Sequence, residues 1–530
     1  MHYLSLATIV LSPLLAVAAP AAGCVGTIAS LNDVAAAQKC KTINIKGFTV
    51  PAGKTFDLTL LAGTTVNMLG DVKFGVANWA GPLFRVTGTG ITFNGNGHTF
   101  DGQGPAYWDG LGGNDGVTKP HPMMKIRISG TYTNVKVLNS PAHVYSVSNP
   151  AKLVMSKLTI DNSAGDKPNA KSHGKAAGHN TDGFDVSTKD LTIEDSNIYN
   201  QDDCIAINKG SNIIFQRNLC SGGHGISIGS VSTGATVQGV QILNNRIVNN
   251  DNGLRIKTKR DATNAAVSGI TFSGNTASGI RKYGVIIDQG YPTTLGAPGN
   301  VPMSGINFVG ARNVIAVTGT ATRVAVNCGP KCSGTWNWSA LTVTGGKAAA
   351  SKFNGTMRHT HSINIYNQDD CIAINKGSNI IFQRNLCSGG HGISIGSVST
   401  GATVQGVQIL NNRIVNNDNG LRIKTKRDAT NAAVSGITFS GNTASGIRKY
   451  GVIIDQGYPT TLGAPGNVPM SGINFVGARN VIAVTGTATR VAVNCGPKCS
   501  GTWNWSALTV TGGKAAASKF KYAGIKGGSF

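Results

Sequence analysis

The sequence predicts an all-β chain folded as a parallel β-helix, and three observations lead to this prediction. Glycine is frequent (71 of 530 residues) and charged residues make up only 13% of the chain, a composition that favours strands joined by tight turns. Apolar and polar residues alternate with a period of two in short segments, as expected of strands with one buried face. These segments recur about every 20 to 33 residues, which is typical of a solenoid.

The alternating segments each end in polar turn residues. They include residues 135–139, 158–162, 191–195, 213–215, 240–244, 270–272 and 306–308. A leucine-rich repeat would require recurring Leu and helical segments, and a propeller would require longer blades. We therefore expect parallel strands stacked about 4.8 Å apart, with Val, Ile and Leu inside and the polar residues of each coil outside.

The chain also contains a long, exact duplication. Residues 197–353 and 364–520 are identical at all 157 positions, with an offset of 167. Folding does not require such identity, because cores tolerate volume-conserving changes, so we infer a recent duplication or an error in assembling the gene. The expected parts are a signal peptide (1–19), a β-helix domain with the candidate site (20–353), a linker (354–363), a duplicated partial β-helix (364–520) and a tail (521–530).

The N-terminal residues predict export. An apolar run over residues 3–17 is followed by Ala18, Ala19 and Pro20, which is typical of a secretory signal peptide, although no Lys or Arg precedes the run. A buried N-terminal segment is the alternative. No other apolar run is long enough to span a bilayer. We therefore expect a secreted, soluble protein without a membrane partner.

The ten cysteines fit an oxidising compartment. They fall in close pairs, Cys24/Cys40, Cys204/Cys220, Cys328/Cys332, Cys371/Cys387 and Cys495/Cys499. Zinc is the competing interpretation, but CxxC pairs and His-rich spacings are missing. We therefore expect local disulfides.

The formal charge of +24 predicts affinity for a polyanion. Nucleic acid is the usual partner of basic proteins, but an acidic polysaccharide is equally compatible with a secreted chain. The sequence lacks an aromatic module for base stacking. We therefore expect no nucleic acid partner.

Polar groups suited to acid–base chemistry recur between residues 180 and 291. Asp182 and the pair Asp202 and Asp203 lie about one coil apart, so that stacking would cluster three carboxylates. Like charges resist simultaneous ionisation, which raises one pKa and separates a general acid from a general base. Each Asp could instead be an ordinary turn residue. His224 lies between glycines that allow a ligand to approach closely, or it is a structural histidine at a bend.

Three further side chains could contact a ligand. Arg255 and Lys257 are two residues apart, hence on one face of a strand, and could hold a carboxylate. A solvated basic face is the alternative. Tyr291 could stack on a sugar ring, although many exposed tyrosines stack on nothing.

The ordered motifs resemble those of the polygalacturonases of glycoside hydrolase family 28, particularly the fungal endo-acting members. The motifs are Asn180-Thr181-Asp182, Asp202-Asp203-Cys204, Gly223-His224-Gly225, Arg255-Ile256-Lys257 and Tyr291. The resemblance extends over residues 24–353, nearly a whole catalytic domain. It implies a right-handed parallel β-helix that hydrolyses α-1,4 linkages between galacturonates in pectin, with inversion and without a metal or other cofactor.

The resemblance also implies a role for each position. Asp202 matches the general acid, and Asp182 and Asp203 match the pair that positions and activates the water. His224 would support the acid. The substrate-binding positions are Asn180, Arg255, Lys257 and Tyr291.

The second copy repeats only part of this set. It contains Asp369, Asp370, His391, Arg422, Lys424 and Tyr458. The position 167 residues beyond Asp182 is Ala349, so we expect the second copy to be catalytically incomplete. Both copies could compete to dock on the N-terminal coils, and we expect the directly connected first copy to occupy them.

Other functions remain compatible with the sequence. Within the enzymes these are an exo-acting polygalacturonase, a rhamnogalacturonan hydrolase and a calcium-dependent pectate lyase on a similar fold. Outside the enzymes, a pectin-binding protein without activity is the alternative. We expect a monomer that acts on pectin or polygalacturonate.

Overall fold

The computed structural model describes residues 23–347, 350–353, 358–359, 364–366, 368–515, 517–520 and 524–530. The predicted signal peptide, Ala349 and parts of the predicted linker and tail lie outside these residues. Five disulfides join the predicted cysteine pairs, which confirms that prediction. Within the described residues, no helix combines the length and the apolar character needed to cross a membrane.

The strands form three faces of a parallel β-helix, and the predicted fold class is confirmed. The first face comprises Val25–Ile28, Thr42–Ile45, Thr65–Met68, Leu153–Ser156, Thr236–Leu243, Ala266–Ser273, Met303–Phe308, Cys332–Ser333, Thr335–Trp336, Arg358–His359, Gly377–Ser378, Ile381–Gln383, Thr403–Gln405, Gln408–Leu410, Ala433–Ser440, Met470–Phe475, Cys499–Ser500, Trp503–Asn504 and Ile525–Lys526. The second face comprises Phe48–Val50, Val72–Phe74, Thr99–Asp101, Lys136–Leu138, Thr159–Asp161, Asn197–Tyr199, Leu219–Ser221, Arg246–Val248, Thr276–Ile280, Leu341–Lys347, Asn364–Tyr366, Leu386–Ser388, Arg413–Val415, Thr443–Ile447 and Leu508–Lys514.

The third face carries the site described below. It comprises Phe56–Thr59, Tyr145–Val147, Gly225–Val231, Asn252–Lys259, Tyr283–Tyr291, Ala350–Phe353, Asp370–Ile374, Gly392–Val398, Asn419–Lys426, Tyr450–Tyr458 and Ala517–Phe520. Long strands bend around a corner and belong to two faces: Phe84–Asn94, Met124–Thr133, Phe184–Glu194, Asp203–Gln216, Asn313–Cys328 and Asn480–Cys495. The helical elements are short: Leu31–Asp33, Val34–Ala37, Gly104–Ala106 and Ser163–Gly165.

Core side chains stack on their equivalents in the next coil. On the third face Val186 pairs with Ile207, Ile207 with Ile228, and Ile228 with Ile256. All four are at most 1% exposed. Burial of each such side chain contributes about 1.5–3 kcal/mol, and a slip of one residue would turn the column outward. The apolar columns therefore fix the register that brings polar residues of different coils together.

A ladder of buried asparagines fixes the same register at the corner before the second face. Its members are Asn218, Asn245, Asn275 and Asn313, repeated in the second copy as Asn385, Asn412, Asn442 and Asn480. The Nδ2 group of Asn245 donates to Oδ1 of Asn275 at 3.0 Å and to the carbonyl of Phe215 at 2.9 Å. In turn, Oδ1 of Asn245 accepts a hydrogen bond from the backbone N–H of Asn218. Each amide thus pairs backbone groups that would otherwise be buried without a partner.

The change Asn245→Ala should lower the free energy of unfolding by about 1–3 kcal/mol for each buried group that it leaves unpaired. Those groups are the carbonyl of Phe215 and the N–H of Asn218. Denaturant-induced unfolding of the full chain measures the loss. The control is Asn300→Ala at an exposed position. Equal stability of the two variants would show that the ladder contributes nothing.

The two copies occupy different places along one helix. The first copy stacks on the N-terminal coils, where Thr159 pairs with Asn197. The second copy stacks on the far end of the first: Asn364 pairs with Thr342, and Ile374 pairs with Ser351. The first copy therefore occupies the N-terminal coils, as expected, and the second extends the helix.

The register of the first copy recurs in the second. Asp203 pairs with Gly225, and Asp370 pairs with Gly392. Six strand-to-strand steps on the third face separate these two aspartates. At about 4.8 Å a step, the corresponding positions lie about 29 Å apart along the helix.

Candidate active site

The predicted site residues meet on the third face because its strands are in register. Arg255 and Lys257 lie on Asn252–Lys259, and Tyr291 ends the neighbouring strand Tyr283–Tyr291. Four residues lie at or just before the N-terminal ends of the preceding strands of this face: Asp182, Asp202, Asp203 and His224. Residues that are 22 to 54 positions apart in the sequence therefore build one polar cluster.

Asp203 is the anchor of the two cations. Its carboxylate is 1% exposed and accepts hydrogen bonds from Nζ of Lys257 at 2.9 Å, from Oγ of Ser227 at 2.8 Å and from the guanidinium of Arg255. Ser227 also accepts a hydrogen bond from Nε of Arg255 at 2.8 Å. One buried carboxylate thus positions two positive charges, and the excess positive charge is available to an anionic ligand.

Asp202 is held by groups on both sides. Its Oδ2 accepts a hydrogen bond from Nδ2 of Asn180 at 2.9 Å, and its Oδ1 lies 2.8 Å from Nδ1 of His224. Burial alone would raise the pKa of Asp202, but the hydrogen bond and charge of His224 and the charge of Lys257 hold that pKa well below its usual range. Burial would lower the pKa of His224, and the hydrogen bond with Asp202 raises it instead. In the free site Asp202 and His224 therefore form an ion pair.

Asp182 has the opposite electrostatic character. Burial, together with the charges of Asp202 and Asp185, raises the pKa of Asp182 well above its usual range, and the charge of His143 offsets this only partly. Like-charge clustering therefore separates two carboxyls, as the sequence predicted. Burial and the neighbouring carboxylates therefore favour the protonated form at Asp182 more than at Asp202.

His143 is a site residue that the sequence reasoning missed. Its Nδ1 lies 3.1 Å from Asp185 and its Nε2 lies 3.8 Å from Asp182. The contact arises because Tyr145 pairs with Phe184 in the stacked coils. Burial alone would lower the pKa of His143, but the hydrogen bond with Asp185 and the charges of Asp182 and Asp202 raise it to about 9.

Protonated His143 should stabilise the fold most below pH 6.5, its ordinary pKa, and this contribution should disappear as the pH rises through about 9. The shift corresponds to at most about 3 kcal/mol. We expect His143→Gln to lower the free energy of unfolding at pH 6 and to have little effect at pH 10. Denaturant unfolding at both pH values measures this, with the surface change His98→Gln as the control. An effect of His143→Gln that does not vary with pH would contradict the assignment.

A loop covers one side of the site. Asn114 donates a hydrogen bond from Nδ2 to Oδ1 of Asn180 at 3.0 Å. The loop is fixed by Lys119, which is 2% exposed and whose Nζ lies 2.9 Å from the carboxylate of Asp109. Asn180 has a φ of +48°, a conformation that Asn tolerates better than most residues. The loop and this turn together aim the Asn180 amide at Asp202.

Two adjoining pockets continue the site along the face. One is lined by His224, Arg255, Lys257 and Tyr291, among other residues, and Nζ of Lys257 lies 5.2 Å from the centre of the Tyr291 ring. The other shares His224 and is also lined by Asp166, Gln201 and Arg281. The two pockets form an open groove with cations on both sides of His224. Four of the eight predicted residues line these pockets: His224, Arg255, Lys257 and Tyr291. Hydrogen bonds connect Asp202, Asn180 and Asp203 to them, and Asp182 interacts with the charge of Asp202.

A metal ion does not suit this cluster. Ligand atoms of Asp202, Asp203 and His224 lie within 4.8 Å of one another. However, Asp203 already accepts hydrogen bonds from Arg255 and Lys257. Two positive charges in contact with the carboxylate oppose a further cation there.

Comparison with known proteins identifies the family of the chain. The sequence model of "Glycosyl hydrolases family 28" matches residues 40–362 and 356–526. A polygalacturonase of Cochliobolus carbonum is 45% identical over 343 residues, covering 61% of this chain and 90% of that protein. An endo-polygalacturonase of Sclerotinia sclerotiorum is 46% identical over 320 residues, covering 58% of this chain and 80% of that protein.

A solved structure is similar as well. Endopolygalacturonase I from Stereum purpureum, complexed with two galacturonate, has a TM-score of 0.60 and 50% sequence identity, and the match covers 63% of this chain and 99% of that one. The fold, the motifs and these matches agree with one another. The chain belongs to family 28 of the glycosyl hydrolases and is a glycoside hydrolase.

Proposed function

We propose that the chain hydrolyses α-1,4-galacturonosyl linkages inside polygalacturonate, with inversion of configuration. The observation that carries the proposal is the buried carboxylate of Asp203 shared by Arg255 and Lys257, directly beside Asp202. The excess positive charge in this groove suits the carboxylate of an acidic sugar. The names of the relatives, polygalacturonase and endo-polygalacturonase, support the same substrate class.

Substrate binding comes first in the proposed reaction. Arg255 and Lys257 hold the carboxylate of the galacturonate beside the scissile bond, and Tyr291 contacts the sugar ring. Lys257 lies between Asp203 and the Tyr291 ring, so ring contact and charge recognition occur at one position. The carboxylate thereby orients the glycosidic oxygen toward Asp202.

Binding also prepares the general acid. The charge of Lys257 contributes to the low pKa of Asp202 in the free site. A bound carboxylate offsets that charge and adds a negative one, which raises the pKa of Asp202. The proton shared by the cluster of Asp202, His224 and Asp182 then moves to Asp202, which donates it to the glycosidic oxygen. His224 holds Asp202 in position through its hydrogen bond.

Water attacks from the opposite side of the sugar. Asp182, deprotonated once the proton has moved, and Asp203 position this water and accept its proton. Inversion requires room for the water between the acid and the base, with carboxyl groups about 6.5–9.5 Å apart. The first product then has the opposite anomeric configuration to the substrate.

We also propose that the protein is secreted and acts as a monomer. The apolar N-terminal run and five disulfides support secretion, because such bonds persist in oxidising compartments. The intact mass of the protein recovered from culture medium tests export, signal removal and the presence of both copies. The molar mass of the native protein in solution tests whether it is a monomer.

Product analysis from polygalacturonate tests the reaction. We expect reducing ends to appear with a broad distribution of oligomer sizes, and the first product by NMR to be the β-anomer. Release of monomer alone would indicate an exo-acting enzyme. Products that absorb in the ultraviolet, with loss of activity in a chelator, would indicate a lyase. Binding without release of reducing ends would contradict the proposed hydrolysis.

A further inference from the structure

The second copy rebuilds the cationic part of the site at another place on the third face. Nζ of Lys424 lies 2.9 Å from the carboxylate of Asp370, which also contacts Arg422 and accepts a hydrogen bond from Oγ of Ser394 at 2.7 Å. Lys424 lies 5.3 Å from the ring centre of Tyr458. These contacts repeat those of the first copy. We call Asp370, Arg422, Lys424 and Tyr458 the second-copy cluster.

We propose that the second-copy cluster binds galacturonate units of an acidic polysaccharide without cleaving it. The inference rests on the proposed function, because the ligand class is that of the first site. The chemistry is the same: two cations share one carboxylate that is 7% exposed in its side chain. The cluster therefore has an excess positive charge next to an aromatic ring.

The surroundings of Asp369 differ from those of Asp202, although each aspartate contacts a histidine. The side chain of Asp369 is 64% exposed, whereas that of the identical Asp202 is 10% exposed. Asp202 is enclosed by Asn180, and neither Asn180 nor Asp182 belongs to the duplicated sequence. The second copy thus retains recognition and loses the arrangement for proton transfer.

The surroundings make the second groove more cationic than the first. In the first copy the pocket beside His224 is lined by Asp166 with Gln201 and Ser221. The corresponding pocket of the second copy is lined by Arg323 with Gln368 and Ser388.

Arg323 is itself fixed in place. Its Nη1 donates hydrogen bonds to the carbonyls of Gly345 and Gly346 at 2.6 and 3.0 Å. Burial lowers its pKa to about 10, so it remains charged at neutral pH. The charged residues that line the first pocket are Asp166, Asp251 and Arg281, whereas the second pocket is lined by Arg323. The balance of charge in the second pocket therefore favours a polyanion more than that in the first.

Both clusters lie on the third face, because successive parallel pairings of its strands connect Asp203 with Asp370. The separation of about 29 Å follows from six strand spacings. A polymer longer than this can occupy both clusters at once, and the second contact is then intramolecular. We expect the second-copy cluster to increase affinity for long chains more than for short oligomers.

Calorimetric titration with trigalacturonate tests the inference. The protein is the full chain with Asp202→Asn, which prevents turnover at the first site. We expect each chain to bind two equivalents of trigalacturonate. Adding Lys424→Met should remove one of them, and adding Lys257→Met instead should remove the other. The matched control is Arg479→Ala, an exposed cation at the turn before Asn480–Cys495, which should leave both.

A second measurement uses long polygalacturonate with the same proteins. Its dissociation constant should be at least about tenfold lower than that of trigalacturonate, and Lys424→Met should abolish the difference. The equivalent that each variant retains, at the first site for Lys424→Met and at the second-copy cluster for Lys257→Met, shows that the variant is folded. If the Asp202→Asn protein binds only one equivalent of trigalacturonate, if Lys424→Met does not remove it, and if the native chain hydrolyses polygalacturonate, the inference is wrong. The proposed function would then still stand. Absence of both hydrolysis and binding in the native chain would overturn the proposed function as well.

Discussion

Replacing Asp202 with Asn should lower kcat on polygalacturonate by about 10²–10⁴-fold, the contribution typical of a positioned general acid. The amide keeps the shape and can still accept the hydrogen bond from His224, but it cannot deliver a proton to the leaving oxygen. KM should change little, because Asp203 and its two cations remain in place. Reducing-end assays under initial-rate conditions measure both constants.

The duplication supplies a matched control for this variant. Asp369→Asn changes the equivalent position in the second copy and should alter kcat by less than about twofold, because Asp369 is exposed and the duplicated sequence does not include Asn180 or Asp182. The pH dependence of kcat distinguishes the roles of Asp202 and Asp182.

A general acid must be protonated, so kcat declines at high pH, and Asp202→Asn should remove this decline. A general base must be deprotonated, so kcat declines at low pH, and Asp182→Asn should remove that decline. Near-normal turnover by Asp202→Asn would show that the second copy is active.

Replacing Lys257 with Met should lower kcat/KM on polygalacturonate by about 30-fold or more. Removal of one partner of a buried charge pair costs about 2–5 kcal/mol, and 1.4 kcal/mol corresponds to a factor of ten. Lys257 holds a substrate carboxylate in the proposed complex and also contacts Asp203 and the Tyr291 ring. The loss should be smaller on highly methyl-esterified pectin, whose esters are neutral.

The control for Lys257→Met removes the same charge from another place. Lys152→Met alters an exposed lysine before the first-face strand Leu153–Ser156 and should change kcat/KM by less than about twofold. Lys257→Arg tests whether charge alone suffices, since an arginine keeps the charge but changes the geometry. Equal losses for Lys257→Met and Lys152→Met would mean that only the net charge of the protein matters.

The fold could be predicted because its signals are local and repeated. Period-two alternation identifies the strands, and the spacing of the coils predicts their stacking. The meeting of Asp203 with Arg255 and Lys257 follows from that stacking. The sequence could not decide where the second copy would lie, because identical segments have identical local preferences. The pairings of Asn364 with Thr342 and of Ile374 with Ser351 place it at the far end.

The features of the site that the sequence did not predict were missed for a different reason. His143 carries no motif, and its contact with Asp185 depends on the register of two strands. Clustered carboxylates predicted one raised pKa, but the sequence could not say which carboxyl would hold the proton. The answer depends on His224, whose hydrogen bond and charge lower the pKa of Asp202, whereas burial and the neighbouring carboxylates raise that of Asp182. Such electrostatic differences require the three-dimensional neighbours of each group.

The repeated register has a consequence for how this protein can evolve. An insertion of 167 residues adds whole turns, since Asp370 meets Gly392 as Asp203 meets Gly225. In most globular folds, an internal insertion of this size would have to form a separate body or disturb the core. Here each coil needs only a neighbour above and below, so that the chain can lengthen in one step without moving Asp182 relative to Asp202. Gene duplication can therefore change the reach of this enzyme along its polymer while the chemistry stays where it was.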